Sequence, residues 1–315
     1  MLIEIQPSAD LEDLSAQAKA CFERLSAGSP GAAAAADTAI GMLETHMRAA
    51  KYDDIPEDVL PLEAATPRLG ALVAARLLSG MKDACARRET PASVAAECAR
   101  QGWRILASLE RQSATSLSLT NDAFQKDLSI CLGTAFPCVA QVVELHSGIP
   151  LRLFSTGTVA ERLNLIARVA RQRRTKPYSE IHTHTPMLDG FTEAGWDRCY
   201  HMIAKLMRQD PDCLGIVGGS WFYDPALPAI SPRLAYLRDV PASGGAFFVR
   251  RGATEMDAAL ATATSESRRK LYEAGTYVPT GYVMIWQRQD LIAWSERNEQ
   301  GRGRHARQHS PAPPA

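Results

Sequence analysis

The sequence predicts an α+β protein: an N-terminal helical bundle followed by a mixed-sheet α/β domain. Three observations predict it. Apolar residues recur three and four apart through residues 10–132, and no convincing strand interrupts them. After Pro137 the chain changes to β-branched runs that alternate with helical segments, the pattern of a sheet covered by helices. The length of 315 residues, 46% of them hydrophobic, is enough to build two cores. The expected division is therefore a helical domain over residues 1–134, a mixed α/β domain over 135–296 and a disordered tail over 297–315.

In chain order, residues 10–25 place Leu11, Leu14, Ala18, Cys21, Phe22 and Leu25 on one helical stripe, which the turn at residues 28–31 ends. The alanine-rich run 33–50 reads as a second helix because alanine has the highest helix propensity. Residues 51–61 read as an acidic loop. Pro67 and Pro91 suit the first turns of two further helices, and Thr120 suits an N-cap for a helix over 121–132. Residues 138–145 and 149–154 read as two strands around a Ser-Gly turn, possible partners in a hairpin. Thr158 caps a helix whose last turn carries Arg171, Arg173 and Arg174, cations that complement a helix C-terminus. Strands over 179–184, 214–222, 233–237, 246–250 and 281–287 then alternate with helices over 192–208, 254–260 and 265–274.

Composition narrows the function. Thirty-five basic residues balance 35 acidic ones, so no global field draws the chain to nucleic acid or an anionic membrane. No apolar stretch approaches the roughly 20 residues of a membrane span. The acidic start lacks the basic and apolar regions of a secretory signal, which points to the cytoplasm. Seven scattered cysteines with no C-x-x-C pair argue against a disulfide framework or a zinc knot.

Chemistry concentrates in residues 178–227. His182 and His184 are two apart in an expected strand, so both imidazoles share a face. Glu193, Asp197 and His201 follow at helical i, i+4 spacing. A metal could be held by His182, His184, Asp197 and His201, a nitrogen and oxygen set suited to zinc or non-haem iron. One histidine could instead act as a general base, or all could serve structure alone. Gly218-Gly219 interrupts a strand, which marks a bulge or a close approach by another backbone or a ligand, with Trp221, Phe222 and Tyr223 beside it. Arg250, Arg251, Gly252, Ala253 and Thr254 lead a strand into a helix start, where an anion could bind.

The segment SESRRKLYEAG, residues 265–275, together with the Arg250–Thr254 turn, resembles the GNAT superfamily of acyl-CoA-dependent N-acyltransferases. The resemblance covers at most residues 137–286. It implies a GNAT-like domain with a splayed sheet that admits the pantetheine arm of acyl-CoA, with Gly218-Gly219 as a place for the splay. It further implies that Tyr272 protonates the departing thiolate, and that Glu193 or a histidine among His182, His184 and His201 deprotonates the amine of a small-molecule acceptor. The compressed Arg250–Thr254 turn admits an acyl carrier protein as donor in place of CoA, or a fold that has lost its activity. The competing expectations are a metal-dependent oxygenase or hydrolase and a non-catalytic binding or regulatory module.

Overall fold

The structure is a computed structural model that describes residues 7–27, 29–47, 51–109, 111 and 117–308. Seven helices come first: α1 (Pro7–Ser26), α2 (Ala32–Met47), α3 (Val59–Ala65), α4 (Leu69–Ser79), α5 (Met81–Arg87), α6 (Ala92–Leu109) and α7 (Asp122–Leu132). Then follow β1 (Ala135–Cys138), β2 (Gln141–Ser147), α8 (Val159–Gln172), β3 (Tyr178–His182), α9 (Glu193–Gln209) and β4 (Gly215–Ser220). The chain closes with α10 (Leu227–Ile230), α11 (Tyr236–Ser243), β5 (Phe247–Gly252), α12 (Glu255–Thr262), α13 (Glu266–Glu273), β6 (Gly281–Gln287) and α14 (Arg288–Gln308). The strands form one mixed sheet in the order β1-β2-β3-β4-β6-β5. β1 and β2 are antiparallel, β3 and β4 parallel, and β6 lies antiparallel between β4 and β5.

Contacts group the chain into two units, one of Met1–Leu145 with His182–Met202 and one of His146–Ile181 with Ile203–Ala315. In the first, α4 is buried almost throughout, with Leu69, Leu72, Val73 and Leu78 at the centre. A Cβ on Gly70 would stand 1.9 Å from the Leu117 carbonyl oxygen, and one on Gly102 would stand 2.4 Å from a Leu14 methyl. Gly70 is therefore closed to any side chain, while a side chain at Gly102 would require Leu14 to shift. α7 starts at Asn121, whose side chain accepts from the Phe124 N–H, and ends on Gly133 in the left-handed conformation. In the second unit, Ile149, Leu153, Leu165, Tyr178, Val217, Phe247, Val249, Val283 and Ile285 form one apolar cluster between the sheet and α8. Thr158 and Glu161 close a reciprocal capping box at the start of α8.

Five local expectations are corrected. The hairpin lies between β1 and β2, because Val139 takes a left-handed φ of 57° and splits the strand expected over 138–145. Residues 149–154 are not its second arm: Pro150 precedes a 3-10 turn over Leu151–Phe154 that buries Leu153 alone. The expected strand 233–237 is a 3-10 turn, Pro232–Leu234, running into α11. That run lacks β-branched residues, and the Arg238 guanidinium is held by the Tyr223 carbonyl over the Phe248 ring. The cap expected at Thr120 falls on Asn121. Residues 297–308, expected as tail, continue α14, since they contain no proline and several good helix formers; the rest of that tail lies outside the described residues.

Candidate functional site

Within the first unit, each of the two neighbouring histidines meets a carboxylate. His182 Nε2 lies 2.9 Å from Glu144 Oε2 on β2. The other oxygen of Glu144 accepts the Tyr52 backbone N–H at 2.7 Å, and the Tyr52 ring stands edge-on to the imidazole with centroids 4.7 Å apart. The Tyr52 hydroxyl donates to Asp122, which also receives Lys126 at 2.7 Å. Burial, and then the Asp122 carboxylate, push the Tyr52 phenol well above its ordinary range. Burial works to raise Asp122 as well, but the hydrogen bonds from Lys126 and Tyr52 and the nearby His182 hold its carboxyl below the usual value.

His184 is the more enclosed of the two, its side chain fully buried against 15% exposure for His182. Its Nε2 lies 2.8 Å from Asp127 Oδ1, and Arg104 clamps the same carboxylate through both terminal nitrogens. Because Asp127 accepts, His184 carries its proton on Nε2, and Nδ1 is buried without a hydrogen-bond partner. The loop holding His184 is fixed at Gly190, where a Cβ would stand 2.4 Å from the Val139 carbonyl oxygen. Gly195 packs as tightly on the Gly190 carbonyl, and Thr192 accepts the Gly195 N–H at the start of α9.

The carboxylates that meet these histidines come from β2 and α7, and the α9 residues stand otherwise. Glu193 is exposed in the first turn of α9, and Asp197 and His201 form an i, i+4 pair at 3.9 Å. For metal binding, Glu144 and His182 supply two donors, and Glu180, two residues earlier on β3, projects to the same side of that strand. Two carboxylates and an imidazole form a set that zinc or iron(II) accepts.

In the second unit, the Gly218-Gly219 break is explained in part by packing. A Cβ on Gly218 would stand 2.5 Å from the Ile181 side chain, whereas Gly219 is exposed and would meet nothing closer than 3.7 Å. Trp221, Phe222 and Tyr223 form a 3-10 turn of edge-on rings, the last two buried. At the end of β5, Arg250 is exposed and Gly252 takes a φ of +114°, and Ala253 and Thr254 beyond the strand are exposed. Arg251 donates to both oxygens of Asp257, and Thr254 caps α12 on the same residue. That carboxylate already occupies the helix start where an anion was expected. Tyr272 lies on α13 with 40% exposure.

The residues that sequence reading missed are Tyr52, Arg104, Asp127 and Glu144. A signal for two of them was present: Asp127 directly precedes the apolar run LSICL, and Glu144 interrupts VVEL, and a carboxylate in a buried element demands a partner. Fold and site together define a mixed α+β protein with paired histidines and carboxylates in its first unit. Compared with protein-family models, curated proteins and solved structures, the chain matches none. No described helix is long and apolar enough to cross a membrane.

Proposed function

We propose that the chain is an acyltransferase that moves an acyl group from a CoA or carrier-protein thioester to the amine of a small molecule. One observation carries this reading: β3 and β4 pair only at Ser179 with Ile216 and Glu180 with Val217. β4 nevertheless runs on to Ser220, held on its other side by β6. Gly218 is still covered by Ile181, but beyond it one edge of β4 presents backbone groups that no strand among the described residues takes up. A pantetheine arm carries amides, and it adds to such an edge as a strand would.

In this reading His182, at the end of β3, accepts the amine proton at Nδ1 while its Nε2–H stays on Glu144. The amine nitrogen bonds to the thioester carbon, the carbon–sulfur bond breaks, and the leaving thiolate takes a proton from Tyr272. Glu193, His184 and His201 are the alternative bases; His184 is the least accessible of them. Arg250 faces the donor's phosphates, since Arg251 is neutralised by Asp257. A second reading rests on the Glu144 and His182 donors with Glu180: a metal-dependent oxygenase or hydrolase.

The test is to mix the purified protein with a panel of acyl-CoA thioesters and primary amines and follow thiol release with a chromogenic thiol reagent. Acyl transfer predicts release that needs both protein and amine and survives chelation. No release across the panel, with stoichiometric zinc or iron in the protein, gives the metal reading instead.

A further inference from the structure

Arg268, in the second unit, is a buried guanidinium that no carboxylate answers. The residue is 3% exposed. Its Nε donates to the Ala261 carbonyl at 2.6 Å and its Nη1 to Ser231 Oγ at 3.1 Å, while the guanidinium stacks over Trp221 at 4.9 Å. Among the described residues no acid pairs with it, and its Nη2 has no acceptor. Burial, and then the neighbouring cation Arg233, lower the pKa of Arg268. Tyr277, whose hydroxyl is buried without a partner, is near enough to feel the same charge.

A buried charge is ordinarily paired, because an isolated one is costly to desolvate. Part of the charge here is met by the C-terminal end of α12, since Ala261 lies in its last turn and a helix C-terminus carries about half an elementary charge. Arg233, which is exposed, adds positive charge to the same surroundings. The Ser231 and Ala261 oxygens also hold the guanidinium in place, leaving Nη2 aimed elsewhere. Asp224, the acid whose charge Tyr277 feels most, is already engaged by the backbone N–H groups of Ala226 and Thr280.

We propose that Arg268, Arg233 and the Tyr277 hydroxyl form a binding site for the oxyanion of a small molecule, a carboxylate or a phosphate monoester, lying beside the Trp221 ring. The oxyanion accepts from Nη2 and from the tyrosine O–H and supplies the missing negative charge. The site stands independently of acyl transfer, because it follows from charge and hydrogen-bond balance alone.

Calorimetric titration tests it with inorganic phosphate and with acetate, at ionic strength held constant with chloride. The expected result is saturable binding of at least one oxyanion, weakened about tenfold or more in Arg268→Met, the loss of one charge-assisted contact. Arg233→Gln and Tyr277→Phe, which do not disturb the α12 contact, should each weaken it by roughly threefold or more. Binding of acetate as well as phosphate assigns a carboxylate ligand, and binding of phosphate alone assigns a phosphoryl group. Should Arg268→Met fail to fold, the other two variants decide. The proposal is overturned if neither anion binds beyond chloride, or if affinity is unchanged in Arg268→Met or in both of the milder variants.

Discussion

The two units treat buried charge in opposite ways. In the first, every buried or half-buried cation and imidazole described above meets an acid: Arg104 and His184 meet Asp127, Lys126 meets Asp122, and His182 meets Glu144. In the second, Arg251 has Asp257, but the more deeply buried Arg268 has only a carbonyl, a hydroxyl and an aromatic face. The difference teaches where each unit is complete. A closed network of charges holds its own side chains in position and can present a basic imidazole; an uncompensated cation is finished only by something from outside the chain.

The largest expected effect tests the closed network. Asp127→Ala would leave Arg104 and a buried His184 facing each other without their acid, and should cost about 3–5 kcal/mol in denaturant unfolding. A cost below about 1 kcal/mol would mean that this network is not closed in the sense argued. Arg268→Met is the counterpart in the second unit. It removes a buried charge and orphans no acid, so its cost should stay near about 1–2 kcal/mol, the value of two hydrogen bonds. A loss as large as that of Asp127→Ala would erase the contrast.

Activity supplies the next comparison, once an acyl donor and acceptor are found. Tyr272→Phe keeps the ring and removes the hydroxyl, and should slow transfer roughly 10²-fold with an unchanged melting temperature. Unchanged turnover would take Tyr272 out of the mechanism, and a parallel loss of stability would assign it to structure.

The smallest effect concerns pH. Burial pushes the Tyr178 phenol up to about 12, while its hydroxyl donates to Gln172 at 2.6 Å. The unfolded chain loses this proton near about pH 10. The contribution is therefore complete below that pH and is lost as pH rises toward 12, with a slope of up to about 1.4 kcal/mol per pH unit. Tyr178→Phe should flatten the alkaline limb of the stability curve between those values; a curve with the wild-type slope would remove Tyr178 as its cause.

Much of the fold was legible in the sequence for reasons these residues make plain. The stripe of Leu11, Leu14, Ala18 and Cys21 gave α1, and β6 and the Thr158 cap fell where spacing and capping chemistry placed them. What escaped depends on contacts distant in sequence. Val139 adopts its left-handed turn beside Gly190, and no local rule marks it. The candidate site was half legible: His182 and His184 were singled out by an expected shared strand, but β3 ends at His182 and His184 heads the 3-10 turn that follows, and α9 offered carboxylates at so regular a spacing that Asp127 and Glu144 were passed over. Pairing in space chose between them.

Whether the edge of β4 beyond its pairing with β3 receives the arm of a thioester donor is decided at Gly219. This residue is exposed, and a Cβ there meets only ordinary contacts at 3.7 Å, so a side chain is compatible with the fold. The measurement is the melting temperature of the wild type and Gly219→Leu with and without acyl-CoA. Acyl-CoA at a hundred times its dissociation constant is expected to stabilise the wild type by about 2.7 kcal/mol. Gly219→Leu should melt as the wild type does when free and lose that stabilisation. Equal stabilisation of both proteins, or of neither, would contradict it.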